Sequence, residues 1–157
     1  MSIPSVNSAL QRARATLESA DVESAGQGEL TDADRELLAR YVDAFQRYDI
    51  GALTSLIRDD ARQSMPPYDL WLRGRDDIFA WWFGPGIACR GSRVIPVTNA
   101  NGSPAFGQYK PSASGDGYEP WALQVLELSD GRIGELTFFL DTEKLFPLFG
   151  LPDFLPA

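Results

Sequence analysis

Histidine is absent from all 157 residues, and cysteine occurs once, as Cys89. The first absence removes the side chain that most often serves as a general base near neutral pH, and a leading metal ligand. Ser–His–Asp and Cys–His nucleophile systems are thereby excluded. A lone cysteine rules out an internal disulfide, which fits a reducing compartment. No apolar run approaches the roughly 20 residues that span a bilayer as a helix, and the amino-terminal stretch lacks the apolar core of a signal peptide. No glycine-rich segment has the spacing that cradles phosphate; Gly84-Pro85-Gly86 reads as a helix stop. With no carboxylate cluster at ligand spacing either, the sequence predicts no metal, no cofactor, no membrane association and a cytoplasmic location.

Positive charge is also scarce. The net charge is −8, and residues 1–17 hold Arg12 and Arg14 with no acid, which leaves −10 for the remainder. A surface that acidic repels phosphate, so only the first segment is suited to nucleic acid. What the chain does have is 44% hydrophobic residues, 11% of the total being aromatic, enough at this length for one well-buried core.

Periodicity divides the chain into a helix over 1–19, a small polar linker over 20–30 containing Gly26 and Gly28, a domain over 31–152 and a tail over 153–157. In the first segment Val6, Leu10, Ala13 and Leu17 recur at helical spacing behind Pro4. Thr31 with Asp34 resembles a capping box, and Leu37, Leu38, Tyr41, Phe45 and Tyr48 form the apolar stripe of a long helix. A short helix begins at Asp49. Strands are expected over 61–65 and 70–73, and a helix over 77–83 capped by Asp76. Four strands follow over 92–99, 103–110, 118–128 and 133–140, paired as hairpins through Asn101-Gly102 and the turn 129–132. Asp141 or Thr142 caps a last short helix. Helices first and an antiparallel sheet last define an α+β domain.

The segments Tyr48-Asp49-Ile50-Gly51-Ala52-Leu53 and Leu72-Arg73-Gly74-Arg75-Asp76-Asp77-Ile78, in this order of elements, resemble the SnoaL-like superfamily, over about residues 31–150. That resemblance implies a cone in which a curved antiparallel sheet wraps helices around an apolar pocket. Polyketide cyclases and ketosteroid isomerases share the fold with non-enzymes. Val6-Asn7-Ser8-Ala9-Leu10-Gln11-Arg12-Ala13-Arg14 is similar to the last helix of region 4 in extracytoplasmic-function sigma factors, part of a helix-turn-helix that reads promoter DNA. Met65-Pro66-Pro67-Tyr68, Pro104-Ala105-Phe106-Gly107 and Phe149-Gly150-Leu151-Pro152 resemble the SnoaL-like extension that one subset of those factors carries. The linker lacks the Asp-Gly-Gly-Gly-Lys motif of the better-known branch. Asp141-Thr142-Glu143-Lys144-Leu145 shares only its last two residues with that branch's Asn-Pro-Asp-Lys-Leu motif.

The resemblance implies that Asn7, Ser8, Gln11 and Arg12 contact DNA in a longer parent, while the fragment alone, without the supporting helix, has no DNA specificity. Carboxylate catalysis stays open through Asp60, Glu135 or Asp141, each of which also has a plain place at a strand face or element end. Tyr68, Trp71, Trp82, Phe106, Tyr109, Trp121 and Phe139 are the candidate pocket lining, and core filling is the competing role. Alternation sets Trp121, Leu123 and Val125 on one strand face and Glu135, Thr137 and Phe139 on one face of the next.

The expected function is a non-catalytic regulatory domain that tunes promoter-specific transcription through contacts with sigma regions or RNA polymerase. An apolar small-molecule ligand would bias it. Asp141, Leu145, Phe146 and Phe149 are expected to form part of the regulatory contact. The alternatives are a small isomerase or cyclase that uses Asp60 or Asp141 as base on an apolar substrate, and a homodimerisation module.

Overall fold

The computed structural model describes residues 3–19 and 29–157; the expected linker lies outside the described residues except for its last two, and so do Gly26 and Gly28. Helix α1 spans Ile3–Ser19. Its apolar Val6 and Leu10 are 40% and 50% exposed, and Asn7, Ser8, Gln11 and Arg12 are exposed as well.

Helix α2 (Asp32–Arg47) starts with the expected capping box. The Asp34 amide donates to Thr31 Oγ1 at 3.1 Å and the Thr31 amide donates to the Asp34 carboxylate at 3.0 Å, so two otherwise orphaned donors are met. The helix ends where Tyr48 takes a left-handed conformation at φ 55°. Asp49 then accepts from the Ala52 amide and caps α3 (Ile50–Leu56). Strands β1 (Ile57–Ser64) and β2 (Trp71–Arg73) follow, then α4 (Arg75–Phe83) and a 3-10 turn over Pro85–Cys89. Strands β3 (Arg93–Ala100), β4 (Ser103–Pro111), β5 (Gly117–Ser129) and β6 (Arg132–Phe139) complete the main sheet. Helix α5 (Thr142–Leu148) precedes a two-residue strand β7 (Leu155–Pro156), so part of the expected tail joins the sheet.

Two expected caps differ in detail. Gly74, not Asp76, holds the N-cap of α4, with no side-chain bond; Asp76 lies in the first turn, where its charge favours the helix dipole. Asp141 is the N-cap of α5 but makes no capping bond, because its carboxylate takes Lys144 Nζ at 2.7 Å instead.

The strand order is β2-β1-β6-β5-β4-β3, with β7 paired to β5. Neighbours are antiparallel except β1 and β6, which run parallel. This departs from the all-antiparallel expectation: four strands intervene between the two, so no hairpin sets their relative direction. The tight turns do follow local chemistry. Asn101 and Gly102, and likewise Asp130 and Gly131, all have positive φ, the geometry that matches a right-twisted hairpin.

The sheet has two covered faces. Helices α2, α3 and α4 pack on the inner face, against Ala61, Phe106, Ala122, Leu126, Ile133, Leu136 and Phe138. Helix α5 and the chain end cover the outer face, where Tyr109, Leu123, Phe146 and Leu151 form a second cluster. The Phe146 ring meets Tyr109 edge-on with centroids 5.2 Å apart, and the Tyr109 hydroxyl donates to the Pro152 carbonyl at 2.9 Å. Gly107 leaves the notch that Leu151 fills: a Cβ there would lie 2.6 Å from Leu151 Cδ1. Much of the apolar surface expected to serve an external contact is thus spent on the domain's own sheet.

Two stability changes follow from this packing. Phe146→Ala should cost about 3–5 kcal/mol in denaturant unfolding, as a fully buried ring is lost and a cavity remains. Thr31→Ala should cost about 1 kcal/mol, the usual worth of an N-cap, with an unchanged denaturant slope.

Candidate functional site

The inner face and the helices enclose a cavity of ≈ 400 Å³. Its walls come from five places. Helix α2 supplies Phe45 and Tyr48, and α4 supplies Trp81 and Trp82. The 3-10 turn gives Gly86, Ala88 and Cys89. The sheet gives Gln63, Gln108, Lys110, Trp121 and Phe138, and the strand ends give Met65, Tyr68, Leu70 and Leu140. The apolar wall is rigid: Trp82 stands edge-on to Phe45 at 5.3 Å and to Phe138 at 6.2 Å between centroids.

Beneath that wall runs a chain of buried hydrogen bonds. The Tyr41 hydroxyl donates to Gln124 Oε1 at 2.9 Å, Gln124 Nε2 to Gln108 Oε1 at 2.9 Å, and Gln108 Nε2 to Ser92 Oγ at 3.0 Å. Ser92 Oγ in turn donates to the Cys89 carbonyl at 2.6 Å. Burial pushes the Tyr41 phenol well above its ordinary pKa, so it stays neutral and remains a donor. The chain ties α2 to β5, β4 and the 3-10 turn across the sheet.

The titratable groups at the cavity are few. Burial raises the pKa of the Cys89 thiol, against the opposing influence of the Lys110 charge and a bond with Gln108, which leaves a weak nucleophile. Lys110 Nζ sits 4.4 Å above the centre of the Trp121 ring. Among the described residues, no carboxylate lines the cavity. Among the described residues, no group of three Cys, Asp or Glu is placed to hold a metal ion.

Of the seven candidate lining residues, Tyr68, Trp82 and Trp121 line this cavity. Trp71 is 69% exposed on the edge strand β2. Phe106 faces inward but packs against Tyr41, away from the cavity, with ring centroids 6.2 Å apart. Tyr109 and Phe139 belong to the outer cluster. The physical cause is a bulge. Gln108 pairs with Ala122 while Tyr109 pairs with Pro120, so Trp121 is an extra residue on β5. The strict alternation that grouped Trp121 with Leu123 and Val125 therefore breaks between them: Trp121 faces the cavity, and Leu123 and Val125 face outward. Phe45, Tyr48 and Phe138, with Gln63, Gln108 and Lys110, were missed. The signal for Phe138 was the fully apolar Phe138-Phe139-Leu140 run, which alternation alone leaves ambiguous.

The candidate carboxylates lie elsewhere. Asp60 is exposed, and its bond with Arg58 at 2.8 Å holds its carboxyl below the usual carboxylate range, which weakens it as a base. Glu135 is on β6 opposite Glu127 and Arg62. Asp141 is paired with Lys144 at the entry to α5 and borders an adjoining, more open depression that shares Tyr68 and Leu140 with the cavity. Of the expected regulatory set, Phe146 is buried, while Leu145 and Phe149 are half-buried on the outer face. The exposed apolar side chains near the end are Leu148 at 77% and Phe154 at 43%. The residues expected to contact DNA, Asn7, Ser8, Gln11 and Arg12, sit on α1 and do not line the cavity.

Over 154 residues the chain is 39% identical to the ECF RNA polymerase sigma factor SigG of Mycobacterium tuberculosis (strain ATCC 25618 / H37Rv), a match covering 96% of this chain and 40% of the relative. The chain thus spans about two fifths of the length of that curated relative. Among solved structures, Bal32a from a soil-derived mobile gene cassette superposes with TM-score 0.57 at 18% identity, covering 77% of this chain and 98% of that one. The extracytoplasmic-function sigma factor SigJ of Mycobacterium tuberculosis gives TM-score 0.54 at 20% identity, covering 98% of this chain and 53% of that one. At these identities the two structures speak for the fold alone. The model of the SnoaL-like domain matches residues 38–136, most of α2 through most of β6, and the chain belongs to that family.

Proposed function

We propose that this chain is a regulatory, non-catalytic part of an extracytoplasmic-function sigma factor. In this reading it tunes promoter-specific transcription initiation through contacts with the sigma core regions or RNA polymerase. The observation that carries the reading is the 39% identity to such a factor over 96% of the chain, a span that takes in α1 as well as the SnoaL-like fold. The chemistry of the cavity supports it. An isomerase or cyclase with a carboxylate base needs that base within reach of its substrate. Here Asp60 and Asp141 both stand outside the cavity, in exposed ion pairs.

In the parent, α1 supplies the end of a promoter-reading helix, with Asn7, Ser8, Gln11 and Arg12 toward the DNA. The SnoaL-like domain follows the linker and works inside the cell, beside the polymerase. Its contact with the rest of the factor uses the outer end of the domain, where Leu148 and Phe154 remain exposed beside Leu145 and Phe149.

Promoter-specific transcription in vitro tests this, with the full-length sigma factor and a version ending before Thr31. We expect the truncation to change the initiation rate about fivefold or more, in the range of ordinary coupling between sites. Equal rates would sink the regulatory reading. In a gel-shift titration, the chain by itself should show no preference for promoter over random duplex, since the whole carries −8 and repels phosphate.

A further inference from the structure

Among the described residues, the cavity wall holds a deeply buried amide nitrogen that no protein acceptor meets. Gln63 is 1% exposed and lines the cavity from β1. Its Oε1 accepts the Trp82 indole N–H at 2.7 Å. An indole nitrogen donates and does not accept, so this bond fixes which end of the amide faces Trp82. Nε2 is the end left over, and among the described residues no acceptor bonds it. The other two buried glutamines make the contrast. Gln108 and Gln124 each have the amide oxygen accepting and the nitrogen donating within the hydrogen-bonded chain. A buried donor left unmet costs stability, and a group of this kind in a native wall needs an explanation.

Much of the remaining polarity of the wall is of the same sign. Lys110 carries a positive charge, Trp81 and Trp121 carry N–H donors, the hydroxyls of Tyr48 and Tyr68 can donate as well as accept, and among the described residues no carboxylate is present to receive a donor-headed molecule. Lys110 itself rests on the Trp121 ring, with no ion-paired carboxylate among the described residues. The volume of ≈ 400 Å³ falls within the usual range for small-molecule sites.

We propose that the cavity binds an apolar carbonyl compound, neutral or anionic, whose carbonyl oxygen accepts from Gln63 Nε2. Its hydrocarbon body lies between Phe45, Trp82 and Phe138. This deepens the regulatory reading by naming the ligand chemistry of the same domain. Ammonium-headed and other donor-headed molecules of the same shape are rejected, because they meet a donor at Gln63 and a cation at Lys110.

The test uses the whole chain and two probes of nearly equal shape, 2-acetonaphthone and 2-ethylnaphthalene, titrated by quenching of tryptophan fluorescence. The ketone should bind about tenfold more tightly, the worth of one buried hydrogen bond. Its carbonyl stretch should move to lower frequency in the complex. The double change Gln63→Met with Trp82→Phe, which removes the donor together with its partner, should abolish both effects while the hydrocarbon still binds. Thermal melting checks that the variant folds, and the ketone–hydrocarbon comparison in the unaltered chain stands without it. Equal affinity for the two probes, failure of both to bind, an unshifted carbonyl or an advantage that survives the double change would overturn the proposal. No transcription is read in this assay, so a negative result here leaves the regulatory reading in place. An inert truncation, conversely, leaves ligand binding in place.

Discussion

The cavity exists because the hydrogen-bonded chain Tyr41–Gln124–Gln108–Ser92 keeps its floor in place. Four polar side chains on the inner side of a sheet, each 0–1% exposed, would ordinarily be a burden on folding. Here each donor meets an acceptor in one continuous direction, from the phenol of α2 to the carbonyl of Cys89. Satisfied networks of this kind hold one geometry and reject others, because any slip strands a buried partner. The 3-10 turn is therefore anchored to the sheet rather than packed loosely over it, and the space between the turn, α4 and the strands stays open. An entirely apolar floor would have had less to hold the turn at this distance.

The outer face obeys a different constraint. An open sheet with only one face covered would present Tyr109, Leu123, Val125 and Phe139 to water. The chain end answers this by folding back: Phe146 and Leu151 settle on that face, and β7 pairs with β5 at Gly117. The pairing requires glycine there, since a Cβ would lie 2.2 Å from the Leu155 carbonyl oxygen. Helix α5 is short, carries Pro147, and has no side-chain capping bond at its start. Its position is accordingly set by burial of Phe146, with Leu145 and Phe149 packed beside it, and not by its own helical stability.

These two constraints explain what could be read from the sequence and what could not. Local chemistry was legible: the Thr31–Asp34 box, the Asn101-Gly102 and Asp130-Gly131 turns and the stripe of α2 all depend on residues within a few positions of one another. Strand limits came within a few residues for the same reason. The lining of the cavity was not legible, because it depends on which way a strand faces after a bulge. One extra residue at Trp121 reverses the parity of β5, and a second step between Glu127 and Leu128 shifts its pairing with β6 around Gly134. Period-2 reasoning carried through such points assigns the right residues to the wrong face. The partners of Gln63, Gln108 and Gln124 were invisible for a related reason. They lie 16 to 83 positions away along the chain, and a glutamine in a strand carries no mark of the bond it will make.

The same bulge joins the two faces mechanically. Trp121 turns into the cavity, while Leu123, two residues on, contributes to the cluster that seats Phe146. The opposing strand repeats the arrangement: Gln108 belongs to the buried chain, and Tyr109 next to it holds Phe146 at one side and the Pro152 carbonyl at its hydroxyl. A displacement of Trp121 or Lys110 by an occupant of the cavity therefore acts on the same short piece of β4 and β5 that supports the chain end. Geometry alone does not make this a switch. An occupant shifts the outer face only to the extent that it binds one seating of α5 better than another. Helix α5 is short, with one fully buried ring and Leu148 already in solvent, which makes it an element that a small difference in affinity can reseat.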